Sequence, residues 1–484
     1  MKKAKSVETL DKVKSACSWL MLIVFILASG APALSDDPSY ILTGVRIVSR
    51  CNAQTNPNGP QIPPPLVAEA FCPSVHPNKN WSFDISWFDP IFQKYYLADR
   101  DNAALDIVDT QSNTVVGQAT GFVGAIPLPP FPPDESDAAG PNGVLTTHNP
   151  DQLWGGDGNG DVRVYSLDSN GLNPTHLTTI LHTDPKLNVT HRADELAYDP
   201  DDQLILMAWD HDTDLLLAFI SVSPDASGIK VVGTISLKGP ANCPVGGCST
   251  GGIEQPAYDP KTGRFLVSVP ASTQHPNGEV LVINPHTMAA EKAYDTTDPL
   301  TGSACRPNGL ALGPSFQAIL GCSSAGGPQL VTLIIDVRTG NVIKTITQVG
   351  GSDEVWYNPG DNHYYTASSN FTSTGLAGGA ANPVVGIIDA GSGKAGPEWI
   401  QNISTGASSH SVAAVFGFQC DQNPGQSKGK SKGKGKGNDN GNGNGNNNQD
   451  CNSVVNNRVW VPLRINTATS PSEVGGIGVI SLVP

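Results

Sequence analysis

The sequence predicts an all-β chain folded as a single β-propeller, and three observations lead there. Gly (52) and Pro (39) supply about 19% of the 484 residues, a composition poorly suited to helices, whose interiors tolerate little of either. A turn signal ending in Pro returns every 45–60 residues, the mark of a repeat architecture. Each repeat holds four short runs rich in β-branched and aromatic residues with turn residues between them, the pattern of antiparallel strands. Four-stranded units arranged about an axis make a propeller. Wholesale disorder is excluded because Val, Ile, Leu and aromatic residues recur along most of the chain.

At the N-terminus, Lys2, Lys3, Lys5, Lys12 and Lys14 precede an apolar run from Trp19 to Ala28, and Ala31-Pro32-Ala33 then offers small residues in an A-x-A arrangement. The run is too short to span a bilayer comfortably. Residues 1–35 are therefore expected to form a cleaved secretory signal, an uncleaved anchor being the other reading. Residues 36–484 are expected to form the propeller domain, secreted to an extracellular or periplasmic space and carrying no membrane span. Loss of the leader takes the formal net charge from −15 to about −18, which argues against nucleic acid or an anionic membrane as a partner.

Eight cysteines remain after the leader: Cys51, Cys72, Cys243, Cys248, Cys305, Cys322, Cys420 and Cys451. An even number in an exported chain suggests disulfides. Counting leaves the connectivity open, but sequential pairing (Cys51 with Cys72, Cys243 with Cys248, Cys305 with Cys322, Cys420 with Cys451) is favoured because each pair sits within one local segment. Four Asn-x-Ser/Thr sequons begin at Asn80, Asn188, Asn370 and Asn402.

The recurring turn appears as Phe88-Asp89-Pro90, His148-Asn149-Pro150, Tyr198-Asp199-Pro200, Tyr258-Asp259-Pro260, Leu312-Gly313-Pro314 and Tyr357-Asn358-Pro359. In the first unit the strands read WSFDISWFDP, QKYYLAD, ALDIVD and TVVGQAT. A second turn, between third and fourth strands, recurs at Asp109, Asn284, Asp336 and Asp389. Units begin near residues 81, 139, 191, 251, 304, 350 and 408, giving seven blades; six blades plus an irregular segment is the other arrangement the spacing admits. The last unit has three strands at 409–418, 457–465 and 475–483, so its fourth is expected to come from the N-terminal stretch 40–49. That exchange closes the ring and leaves no free sheet edge. Between Cys420 and Cys451, residues 421–450 are rich in Lys, Gly and Asn with no apolar residue to join a core. They are expected to be a disordered insert on the last blade.

Aligning the units on their first strands gives one column: Asp84, Asn142, Asp194, Glu254, Asn308, Asp353 and His410. The innermost strands of a propeller line its channel, so these side chains are expected to converge on the axis. Carboxylate and amide oxygens meeting at one point suit Ca²⁺, which takes six to eight hard oxygen ligands, and Glu195, Gln255 and Glu354 add further donors. Polar side chains that merely solvate a wet channel would produce the same column.

The column and the repeated turns resemble the NHL and YVTN propellers and, more distantly, the senescence-marker-protein/gluconolactonase group, over most of residues 40–484. The second resemblance implies a divalent cation in the channel and hydrolysis of lactones. The roles would fall to Glu254, Asn142, Asn308 and Asp353, the metal polarising the lactone carbonyl while a carboxylate activates water. That group has six blades where seven are counted here.

GxSxG occurs at Gly247–Gly251 and twice within the Lys/Gly-rich stretch 425–433, while no HExxH or phosphate-loop pattern is present, so zincins and nucleotide hydrolases lose their usual support. Asp210-His211-Asp212 reads as a turn after a second strand. Two functions follow. One is an exported, monomeric binding or protein-interaction scaffold for a small molecule or protein, with Ca²⁺ as the cofactor its channel would admit. The other is a Ca²⁺-dependent, lactonase-like hydrolase or lyase.

Overall fold

The computed structural model describes residues 40–45, 82–125, 138–187, 189–211, 215–239, 243–323, 329–391, 395–406, 408–420, 451–466 and 473–482. The expected leader at 1–35, Cys51, Cys72 and the insert 421–450 lie outside these residues. Twenty-eight strands, numbered β1 to β28 in chain order, form seven four-stranded antiparallel sheets. The innermost strands are β2 (Phe83–Asp89), β6 (Val144–Thr147), β10 (Ala193–Asp199), β14 (Pro256–Asp259), β18 (Pro307–Leu312), β22 (Val355–Asn358) and β26 (Ala413–Cys420). This is the seven-bladed propeller the repeats predict.

The Asp/Asn-Pro signal works through local side-chain bonds. Asp89 Oδ1 accepts from the backbone N–H of Ile91 (2.8 Å) and Phe92 (2.9 Å), and Asp199 Oδ1 accepts from those of Asp201 (2.9 Å) and Asp202 (3.1 Å). Such Asx turns substitute a carboxylate for a backbone carbonyl and let the chain reverse. The second turn signal does the same: Asp109 Oδ1 accepts from Ser112 N–H (2.8 Å) and Asp389 Oδ1 from Gly391 N–H (2.8 Å).

The seventh sheet has the order β1 (Tyr40–Val45), β28 (Glu473–Leu482), β27 (Cys451–Asn466), β26. β1 runs antiparallel to β28, with Tyr40 opposite Leu482 and Val45 opposite Ile477. The Tyr40 hydroxyl also reaches His363 Nδ1 of blade six at 2.9 Å. Cys420 and Cys451 are register partners on β26 and β27.

Seven apolar clusters form the core, one at each junction between neighbouring blades. At the closing junction, Trp460, Ile477 and Val479 of blade seven pack on Phe88, Tyr95 and Leu97 of blade one. Two disulfides are formed as sequential pairing predicts, Cys243–Cys248 and Cys305–Cys322. No helix among the described residues is long and apolar enough to cross a membrane.

Candidate functional site

All seven column residues fall at the start of an inner strand. In β2, β10 and β18 the ladder to the second strand skips a register between Phe83 and Ser86, Ala193 and Leu196, and Pro307 and Leu310. The skipped residues are Asp84, Asp194 and Asn308 with their successors. A bulge re-aims side chains out of the alternating pattern, and here it frees the column residue from the sheet ladder. In the other blades the column residue precedes the first ladder pair.

The blades touch through backbone at this level. The N–H of Ile85 donates to Asn142 O (3.3 Å), Gln255 to Asn308 O (3.2 Å) and Glu354 to His410 O (3.0 Å). Gly143 and Gly309 lie so close to the next blade that an added Cβ would stand 1.8 Å from Asp194 O and 2.3 Å from Asp353 O. Any side chain at either position would push two blades apart.

The column is tied together by arginines that one residue per blade does not reveal. Arg100, at the end of the second strand of blade one, donates to the Asp84 carboxylate and through Nε to Asn142 Oδ1 (3.0 Å). Arg192, two residues before Asp194, reaches Asp194 Oδ2 at 2.8 Å and Asp210 Oδ2 at 3.0 Å. His410 Nε2 lies 3.2 Å from Asp84 Oδ1, its Nδ1 lies 2.8 Å from Ser408 O, and its ring stacks on Phe83 at 4.9 Å. Asn308 Nδ2 donates to Asp353 Oδ1 (2.9 Å).

Asp210 follows the second strand of blade three, where the sequence reads a turn, and its carboxylate also reaches the axis. Its Oδ1 accepts from Ile253 N–H (2.9 Å), its Oδ2 pairs with Arg192, and it joins Asp194 and Glu254 in a group whose ligand oxygens all lie within 4.8 Å of one another.

Electrostatics follow from burial set against these partners. Burial works to raise the Asp84 carboxyl, but the Arg100 charge and the His410 bond and charge outweigh it and hold it at about 2. Burial works to lower His410, and its bond to Asp84 reverses the direction, so its pKa is raised. Asp194 moves the other way: burial, with Asp84 and Asp210 nearby, takes it to about 7 against the pull of Arg192. Glu254 is pushed well up by burial, then by Asp210, Asp353 and Asp194. Glu195 and Glu354, one residue beyond the column, both rise well above the usual carboxyl range, through burial first and then through neighbouring carboxyls.

Two cavities open on the axis. The polar mouth, about 490 Å³, is lined by Asp84, Arg100, Arg192, Asp353 and His410, with Ser369, Asn370, Ser408, Ala381 and Pro383 around them. Farther along the inner strands, toward the Asx turns, lies a second chamber of about 680 Å³ with largely apolar walls.

The oxygen set suits a hard cation in kind, yet most of it is engaged. Asn142 Oδ1 accepts from Arg100, and Asp194 and Asp210 already face the Arg192 guanidinium. A divalent ion entering between Asp194, Asp210 and Glu254 would have to displace Arg192.

No family model matches the chain, and no curated protein matches it. Solved structures of similar outline include a chain of the mitotic checkpoint complex (12% identity, 79% of this chain and 89% of that one, TM-score 0.46). U3-55K is similar at 12% identity, over 69% of this chain and 84% of that one, with a TM-score of 0.45. Kuenenia stuttgartiensis hydrazine synthase is similar at 11% identity, over 71% of this chain and 91% of that one, with a TM-score of 0.47.

Proposed function

We propose that this protein is an exported binding propeller that takes a small, neutral, polyhydroxylated ligand at the polar mouth of its channel. The observation that carries the reading is the balance of charge there. Asp84 and Asp353 stand beside Arg100 and Arg192, with His410 bridging to Asp84. A ligand of either sign would bring an unmatched charge into a buried site. A polyol offers hydroxyls that both donate and accept, and so meets carboxylates and guanidinium groups together. The cavity size falls within the ordinary range for small-molecule sites, and Ala381 and Pro383 give an apolar wall for ring carbons. Export rests on the N-terminal leader pattern and on the two disulfides.

Thermal-shift and calorimetric titrations against neutral sugars, sugar acids and amines test the reading. Neutral sugars are expected to bind, and Asp353→Ala is expected to weaken them at least tenfold. Preference for a charged panel member, or no binding by any sugar, would overturn it.

The group Asp194, Asp210 and Glu254, with the gluconolactonase-like resemblance, supports a second reading, a Ca²⁺-dependent lactonase-like hydrolase. It requires chelator-sensitive lactone hydrolysis and metal in the purified protein.

A further inference from the structure

The chamber beyond the polar ring is a different kind of site. Its walls come from the inner strands after the bulges: Trp87, Leu196, Tyr198, Tyr258, Leu310 and Trp356 are among the lining residues. Trp87 and Trp356 meet edge to face, with centroids 5.3 Å apart. The tyrosine hydroxyls are anchored away from one another, Tyr198 on His148 O at 3.3 Å and Tyr258 on Asp201 Oδ2 at 3.2 Å. Their ring carbons are thus left to line the space.

The chamber has an acidic patch and no basic counterpart. Glu195 lines it while remaining only 5% exposed, and Glu354 is likewise only 5% exposed. Burial raises the Glu195 carboxyl, and the charges of Glu354, Asp194 and Glu254 raise it further. Among the described residues the lining contains no Lys or Arg, and its one imidazole, His148, is matched by Asp89 at 2.9 Å and Asp151 at 3.2 Å. Aromatic rings attract a cation through their faces, and a buried acid with a raised pKa adds direct charge pairing by giving up its proton when the cation arrives.

We propose that this chamber binds a small organic cation with an apolar body, an aromatic or aliphatic amine or quaternary ammonium compound, its charged head on Glu195 and its body against Trp87 and Trp356. The occupant is fixed by complementarity. Apolar walls favour a hydrocarbon body, and Glu195 and Glu354 lack the opposite charge that Asp84 and Asp194 obtain from arginines.

Calorimetry with three probes of similar body and different charge tests the proposal: benzyltrimethylammonium, benzyl alcohol and benzoate. Benzyltrimethylammonium is expected to bind at least tenfold more tightly than benzyl alcohol, with benzoate the weakest. Glu195→Gln is expected to bring the cation's advantage below about threefold, and Trp356→Ala to weaken both the cation and the alcohol. Glu291→Gln removes a charge from the outer surface and is expected to leave all three affinities unchanged. Should Glu195→Gln fail to fold, Glu354→Gln reads the same acid pair, and the three-probe comparison on the unaltered protein needs no variant. Equal affinity for cation and alcohol, no binding of the cation, or a preference that survives both substitutions would overturn the proposal.

Discussion

Replacing Arg192 with Gln removes the charge standing among the axial carboxylates and leaves a shorter, neutral side chain. Arg192 lies 2.8 Å from Asp194 and 3.0 Å from Asp210. At an effective dielectric near 20, each contact at that distance carries roughly 5 kcal/mol of Coulomb energy. Desolvation of the three groups offsets much of it, and stripping one partner from a buried pair costs about 3–5 kcal/mol net. The variant is expected to lose that amount at pH 8. The loss should shrink on acidification, and the sign follows from Asp194. With its pKa raised from 3.8 to about 7, the folded state holds a proton between those values that the unfolded state releases. Stability therefore falls as pH rises through that window, and without Arg192 the carboxyls move higher still. Urea unfolding followed by tryptophan fluorescence at pH 5 and pH 8 measures both quantities. Millimolar Ca²⁺ is expected to stabilise the variant more than the parent, because the ion can then occupy the place the guanidinium left. A loss under about 1 kcal/mol at pH 8, or an equal loss at both pH values, would refute the reasoning.

Asp84→Asn is expected to bring the raised His410 pKa down toward its ordinary 6.5, read by NMR titration of the imidazole. The stability the pair contributes is present below pH 6.5 and lost as pH rises through the folded-state value, so the variant should differ from the parent mainly on the acid side. Removing the buried Cys305–Cys322 disulfide by double substitution to Ala is expected to cost about 3 kcal/mol in urea unfolding, as its 17-residue separation implies.

The sequence made the blades legible because their corners are local. At four corners an Asp or Asn (Asp89, Asp199, Asp259 and Asn358) caps backbone N–H groups two or three residues ahead, so the signal survives in a single chain without reference to tertiary contacts. The axial column was legible for a related reason, since a polar residue stands six positions before the corner proline in five of the blades. Its electrostatics were not. Arg192 and Arg306 both sit two residues before a column residue, an offset that would have drawn attention had the residues flanking the column been aligned as well. Arg100 and Asp210 arrive from the ends of second strands, and only the folding back of each hairpin brings them to the axis. The apolar chamber was hidden because Trp87 and Trp356 belong to blades one and six, far apart in sequence and brought together only when the ring closes through blade seven.

The bond between β1 and β28 joins residues 40 and 482, nearly the whole length of the chain. Contacts of such separation are the slowest to form, since a long loop must close before any hydrogen bond repays it. Six blades can each complete from adjacent sequence, while the seventh waits for both ends. Until then the ring is an open arc with the unpaired edge of β28 on one side. Every ligand site on the axis depends on the channel being round, so binding competence should appear in a single late step, when the first described strand finds the last.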